Sequence, residues 1–268
     1  MPVELAVWGD LDGGGACNLD DLVADLPPIM EAHAARFDGT MPFERYVFVL
    51  MLSAEAYGGL EHRTSSANLA GNAVFATRKS YEGLLELLSH EFFHAWNGKR
   101  LAPPALHRFD YRQEAYTRCL WIVEGVTSYY DRLAVRLTGR MSAKAYLDKL
   151  LDEWARLQAT PGRREQSLEA ASFDAWIKLY KPDEANLNST VSYYLKGGLV
   201  ACTLDIEVRR RSEGRHTLGD ALALLWRRFG AAGQPYPEDV QAVFEEATQL
   251  ALDGFFARKG PLYLRVEE

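Results

Sequence analysis

Two histidines four residues apart, His90 and His94, with Glu91 beside the first, carry the spacing that most directly implies chemistry. On a helix an i, i+4 pair lies on one face a turn apart, so both imidazoles reach a single ion. Glu91 is then placed to lean over a water at that ion and take its proton. The bland alternative is a pair of surface histidines, but Phe92, Phe93 and Trp96 argue for burying this face. A catalytic zinc needs a third protein ligand and one open position. Glu124, in Trp121-Ile122-Val123-Glu124-Gly125, lies thirty residues after His94. That is room for the helix to end, a loop to cross and a second helix to return. A carboxylate in so apolar a segment is costly unless paired or coordinated; the competing reading is a solvent-facing acid beside Gly125. Asp131 falls on the same helical face as Glu124 and could orient an imidazole, although a surface acid beside Arg132 is the simpler expectation.

Two more segments bear on a substrate. Gly58-Gly59-Leu60-Glu61-His62 follows a continuous apolar run, Tyr46 to Leu52, of strand length. Gly58 and Gly59 let a peptide backbone approach closely, and a strand edge can hold that peptide by backbone hydrogen bonds. Glu61 is then a candidate dock for a substrate's free ammonium, against the alternative of a loop with a surface acid. Ser192-Tyr193-Tyr194-Leu195-Lys196-Gly197-Gly198 offers a tyrosine donor for the oxyanion of a tetrahedral intermediate; two tyrosines opening a helix can equally be packing residues. Lys196 is expected to pair with a local acid.

The elements that must position these groups are legible in outline. Val3 to Trp8 reads as a short strand ended by Gly9 and the Gly13-Gly14-Gly15 loop. Asn18 is an N-cap for a helical pattern that Pro27-Pro28 interrupts. Leu84 to Trp96 keeps helical spacing and stops at Asn97-Gly98. Beyond it the chain reads as helix after helix: Trp121 to Leu137, Ala143 to Leu157 capped by Ser142, Leu168 to Tyr180 capped by Ser167, Val191 to Arg211, Leu218 to Phe229 and Glu238 to Leu250. The fold class is therefore α+β, one domain over 1–268, with an α/β lobe over 1–98, a mostly helical lobe over 99–268 and the active-site cleft between them.

Composition narrows the partners. With 30 Lys and Arg against 37 Asp and Glu, the net charge of −7 argues against nucleic acid, which wants clustered cations. The longest apolar run is too short for a membrane span, which takes ~20 residues. No basic and apolar leader is read at the start, and the compartment stays open. Three cysteines, Cys17, Cys119 and Cys202, cannot all pair and read as buried thiols.

Together the motifs resemble those of the gluzincin aminopeptidases, and most closely the glycyl aminopeptidase family. Gly58 to Ser65 (GGLEHRTS), Ser89 to Arg100 (SHEFFHAWNGKR), Trp121 to Gly125 (WIVEG) and Asn188 to Gly197 (NSTVSYYLKG) stand in that family's order. The broader alanyl and leucyl aminopeptidases carry Gly-x-Met-Glu-Asn where this chain has Leu60 and His62. The resemblance implies a thermolysin-like zincin domain with one Zn2+ held by His90, His94 and Glu124. It makes Glu91 the general base, Tyr194 the intermediate's stabiliser (Tyr193 being the neighbour to test against it) and Glu61 the amine anchor. The implied substrate is a peptide with a free N-terminus, small residues such as Gly or Ala favoured. A zinc endopeptidase and an inactive peptide-binding scaffold are the alternatives. Relatives usually carry a β-rich domain before the catalytic part and a PDZ domain after it. Here the catalytic part is expected almost from Met1, with nothing PDZ-like after Glu268.

Overall fold

The strand Tyr46–Leu52 (β2) alternates buried and half-buried residues, so Tyr46, Phe48, Leu50 and Leu52 all point to one core face. Val3–Trp8 (β1) and Ser65–Ala70 (β4) flank it in parallel, and Gly58–Glu61 (β3) closes the far edge antiparallel to β4, in the order β1-β2-β4-β3. The computed structural model describes residues 2–9, 17–54, 56–108 and 110–256; the expected Gly13-Gly14-Gly15 loop lies outside them. The chain forms two compact units, Met1–Lys99 with Tyr130–Tyr146, and Arg100–Tyr129 with Leu147–Glu268.

In the first unit the helix Leu19–Ala34 (α1) starts at Asn18, whose side chain accepts from the amides of Asp20 and Asp21 at 2.8 and 3.1 Å. Contrary to expectation, Pro27 and Pro28 sit inside this helix without ending it. The carbonyls they leave without amide donors belong to Val23 and Ala24, both exposed to water. The apolar stripe Leu22, Leu26, Ile29 and Met30 meanwhile runs unbroken through the core. The helix Arg78–Phe93 (α2) opens two residues before Ser80 because Thr77 and Ser80 cap each other, each hydroxyl accepting the other's amide at 3.1 Å. Its Phe92 packs edge-on against Tyr46 at 4.9 Å between ring centroids, fixing the helix to β2.

In the second unit, residues Trp121–Gly125 form a single π-helical turn that runs into the helix Val126–Leu137 (α3), whose residues from Tyr130 on, like the start of the next helix up to Tyr146, belong to the first unit. Ser142 caps Ala143–Ala159 (α4), as expected. The run expected to be helical from Leu168 to Tyr180 instead breaks at Asp174, leaving Leu168–Phe173 (α5) and a separate turn over Ala175–Lys178. Ser192 caps Tyr193–Arg211 (α6). Buried Asp205 on α6 accepts the Tyr129 hydroxyl at 2.6 Å and the Leu218 amide at 2.7 Å, so the helix Leu218–Leu225 (α7) begins at a fixed point. Cys17 and Cys119 are buried and Cys202 is half-buried; all three are free thiols. Among the described residues no helix is long and apolar enough to cross a membrane.

The π turn lies backbone to backbone on α6. A Cβ on Gly197 would sit 2.9 Å from the Gly125 Cα, and one on Gly125 only 2.6 Å from the Gly197 Cα. Backbone on both sides cannot rotate away. Gly197→Ala is therefore expected to lose about 1–3 kcal/mol of stability despite the better helix propensity of alanine. Gly198→Ala, whose Cβ would meet the Ser128 Cβ at 3.4 Å and the Gly125 carbonyl oxygen at 3.6 Å, both ordinary van der Waals contacts, should stay near the parent. Thermal unfolding of the two variants checks this, and equal midpoints would refute the close approach.

Candidate active site

The end of α2 presents His90 and His94 with ring centroids 4.8 Å apart. Each ring has one nitrogen already committed. His94 Nδ1 lies 2.7 Å from the Asn97 carbonyl oxygen, which can only accept, so Nδ1 carries the proton. His90 Nδ1 lies 2.9 Å from Asp131 Oδ2, a carboxylate with only 7% of its residue surface exposed. Both rings are thereby set with the Nε2 lone pair available. Glu124 adds an oxygen from the π turn, and the ligand atoms offered by His90, His94 and Glu124 all lie within 4.8 Å of one another.

This donor set suits a divalent metal of intermediate softness. Two neutral imidazoles and one carboxylate are a three-ligand set of catalytic zinc sites, which leave a fourth position open. The carbonyl and carboxylate behind the imidazoles are the partners such ligands ordinarily take.

Asp131 is itself anchored. Its carbonyl accepts from the Ser89 hydroxyl at 2.9 Å, which spends the only proton of that hydroxyl. Ser89 Oγ must then accept from His33 Nε2, 2.7 Å away. His33 is fully buried, and burial holds its pKa well below the ordinary imidazole value, so it stays neutral. The sequence offered Asp131 only as one of two readings and held no hint of the Ser89–His33 pair beneath it. The signal for Asp131 was its spacing from Glu124, two helical turns along one face.

Glu91 is buried at 5% exposure, with Gly59 of β3 directly over it. A Cβ on Gly59 would fall 2.2 Å from Glu91 Oε1, so this glycine is the space the carboxylate occupies. Gly58 has φ +145°, which favours glycine for backbone reasons alone. Glu61 ends the same edge strand, opposite Ser66, and forms an ion pair with Lys99 at 2.8 Å.

The tyrosines gather in the second unit. The rings of Tyr193 and Tyr194 stack at 4.7 Å, and the Tyr180 hydroxyl lies 3.3 and 3.4 Å from theirs. Burial and then the Glu124 carboxylate push the Tyr194 hydroxyl far above its ordinary pKa, which keeps it protonated and able to donate. Tyr193 is the more buried of the two, at 1% exposure. Lys196 donates to the carbonyls of Gln166 at 3.0 Å and Arg163 at 3.3 Å, and burial brings its pKa down to about 8.

Residues 83–200, from the middle of α2 to the first turns of α6, match the M61 glycyl aminopeptidase family model. The match takes in 118 of the 268 residues. It contains His90, Glu91, His94, Glu124 and Tyr194, while Gly58, Gly59 and Glu61 precede it. No match was found among curated proteins. Among solved structures, an aminopeptidase N family protein from Idiomarina loihiensis is similar over 88% of this chain at 35% identity and a TM-score of 0.82. The chain spans 40% of that protein's length. An M1 zinc metallopeptidase from Deinococcus radiodurans aligns over 98% of this chain and 48% of its own, at 16% identity and TM-score 0.57. Yeast LTA4 hydrolase aligns over 88% of this chain and 35% of its own, at 13% identity and TM-score 0.57. The last two share the zincin-like α+β fold, the class expected from the sequence.

If Asp131 sets the His90 ring, its removal should be felt at the metal. Asp131→Ala is expected to weaken zinc binding about 10–100-fold, measured by titrating metal-free protein against a competing chelator. Unchanged affinity would show that the hydrogen bond is incidental.

Proposed function

We propose that this chain is the catalytic part of a zinc-dependent aminopeptidase that removes small N-terminal residues, such as Gly or Ala, from peptides. The observation that carries the reading is the group of His90, His94 and Glu124 with both imidazole Nδ1 atoms engaged elsewhere. The family match over 83–200 supports the peptidase chemistry.

Zinc, when held by these three residues, supplies Lewis acidity toward the scissile carbonyl and makes water acidic enough to attack near neutral pH. Glu91, buried against Gly59, takes the proton of the attacking water and passes it to the leaving amine. Tyr194 stays protonated beside Glu124 and donates to the oxygen on which negative charge develops. The edge of β3 aligns the peptide through backbone hydrogen bonds, and Glu61 at its end takes the N-terminal ammonium. A peptide without that ammonium leaves the carboxylate without its intended partner, which is the basis for choosing the chain end.

The Glu61–Lys99 pair favours one other reading: if the pair never opens, the amine site is closed and the chain is an endopeptidase. Cleavage of free against N-acetylated peptides separates the two. Preference for the free amine is expected, and equal rates would overturn the aminopeptidase reading. Glu91→Gln should keep its zinc and lose hydrolysis, and Tyr194→Phe should lose about 10²–10³ in rate with the metal retained. Elemental analysis with a panel of aminoacyl reporters reads both, and turnover retained by Glu91→Gln would remove it as the base.

A further inference from the structure

The proposed amine anchor already holds a primary ammonium. Lys99 Nζ lies 2.8 Å from Glu61 Oε1, with each side chain only 21% exposed. Both ends are placed by backbone. Glu61 is registered against Ser66, and the next amide, His62, donates to Ser65 at 2.8 Å to close the hairpin. Lys99 follows Gly98, whose φ of +108° turns the chain back, and its amide donates to the His94 carbonyl at 3.2 Å. The pair thus joins the end of the edge strand to the residue five places beyond His94.

We propose that Lys99 is a specificity-determining residue: its ammonium stands in for a substrate's N-terminal ammonium at Glu61 and must yield that carboxylate when a free-amine peptide binds. This rests on the amine-anchor reading of Glu61 above. The two cations are the same chemical group, a protonated primary amine on a saturated carbon, so they compete for the same oxygens. A carboxylate largely withdrawn from water is costly without a partner, and Lys99 supplies one when no peptide is present. The four-carbon lysine stem carries a compact charge that can swing back toward solvent. Arginine would grip the carboxylate with two parallel bonds and be harder to displace. A peptide with a blocked N-terminus brings no cation, so Lys99 stays and the anchor remains closed to it. Lys99 therefore lowers affinity for every free-amine peptide while sharpening the choice against blocked ones, as a competing interaction built into a site does.

The test measures binding without turnover. Triglycine and N-acetyl-triglycine are titrated calorimetrically into the zinc-loaded full chain carrying Glu91→Gln, alone and combined with Lys99→Met, Lys99→Gln or Lys99→Arg. Lys99→Met and Lys99→Gln are each expected to tighten triglycine binding about three- to tenfold, the scale on which removing a like charge acts at a half-buried carboxylate. Lys99→Arg should bind triglycine no more tightly than its parent, and acetylated triglycine should stay weak throughout. Unchanged affinity in both neutral variants would make the pair an ordinary surface salt bridge, and weaker affinity would make Lys99 a support that holds Glu61 in place. Either result overturns the proposal. Equal binding of free and acetylated triglycine by the Glu91→Gln chain with Lys99 intact would instead sink the amine-anchor reading itself, a result obtained without any change at Lys99.

Discussion

The hydrogen bond between His90 Nδ1 and the Asp131 carboxylate is the interaction on which the site's chemistry turns. A histidine can present either nitrogen, and only one choice leaves Nε2 free to act as a ligand. At His94 the choice follows from the chain itself, since the Asn97 carbonyl three residues on can only accept. At His90 it requires a group from another helix, the Asp131 carboxyl, which is largely withdrawn from water. Such an acid is stable there only if its other valences are met. Asp131 also accepts from the Arg132 amide on its other carboxylate oxygen, and its main-chain carbonyl is held by Ser89. The cost of burying His33 without a partner for its Nδ1 is set against this anchoring.

Steric room is the second constraint, and it is written in glycines. Gly59 leaves the volume filled by the Glu91 carboxylate, so the general base proposed here is confined from above by backbone. A side chain at that position would turn Glu91 aside while leaving the sheet intact. Gly125 and Gly197 play the same part between the π turn and α6, where the close approach of two backbones fixes the turn that carries Glu124. A π turn places its residues out of the 3.6-residue phase and is often found at functional positions. Here it sits at Glu124 and ends one residue later.

Legibility in the sequence follows from range. The His90, Glu91 and His94 arrangement was readable because four residues on a helix is a backbone spacing that no tertiary contact alters. β2 was readable from seven consecutive apolar residues, and the cap at Asn18 from its side chain. The helix through Pro27 and Pro28 was not, because what sustains it is burial of Leu22, Leu26, Ile29 and Met30 against distant elements. The break at Asp174 was hidden by apolar residues that keep helical spacing on both sides of it. Lys99 and Glu61, thirty-eight positions apart, carry no mutual signal in a single sequence.

The acidic groups of the site are divided by what surrounds them, and the division assigns their work. Asp131 takes a donor on each carboxylate oxygen, one of them the His90 ring. Glu61 is paired with the Lys99 ammonium, which suits the proposed role of exchanging one ammonium for another. Glu124 stands near Tyr194 and raises the cost of ionising it, second only to burial. The same charge that suits Glu124 to a cation therefore keeps the neighbouring phenol neutral. A neutral phenol can donate to an oxygen that gains negative charge during reaction, whereas a phenolate would repel it. In the proposed reaction one carboxylate would thus serve both ends of the carbonyl's polarisation, and moving Glu124 would disturb Tyr194 even with the tyrosine left in place.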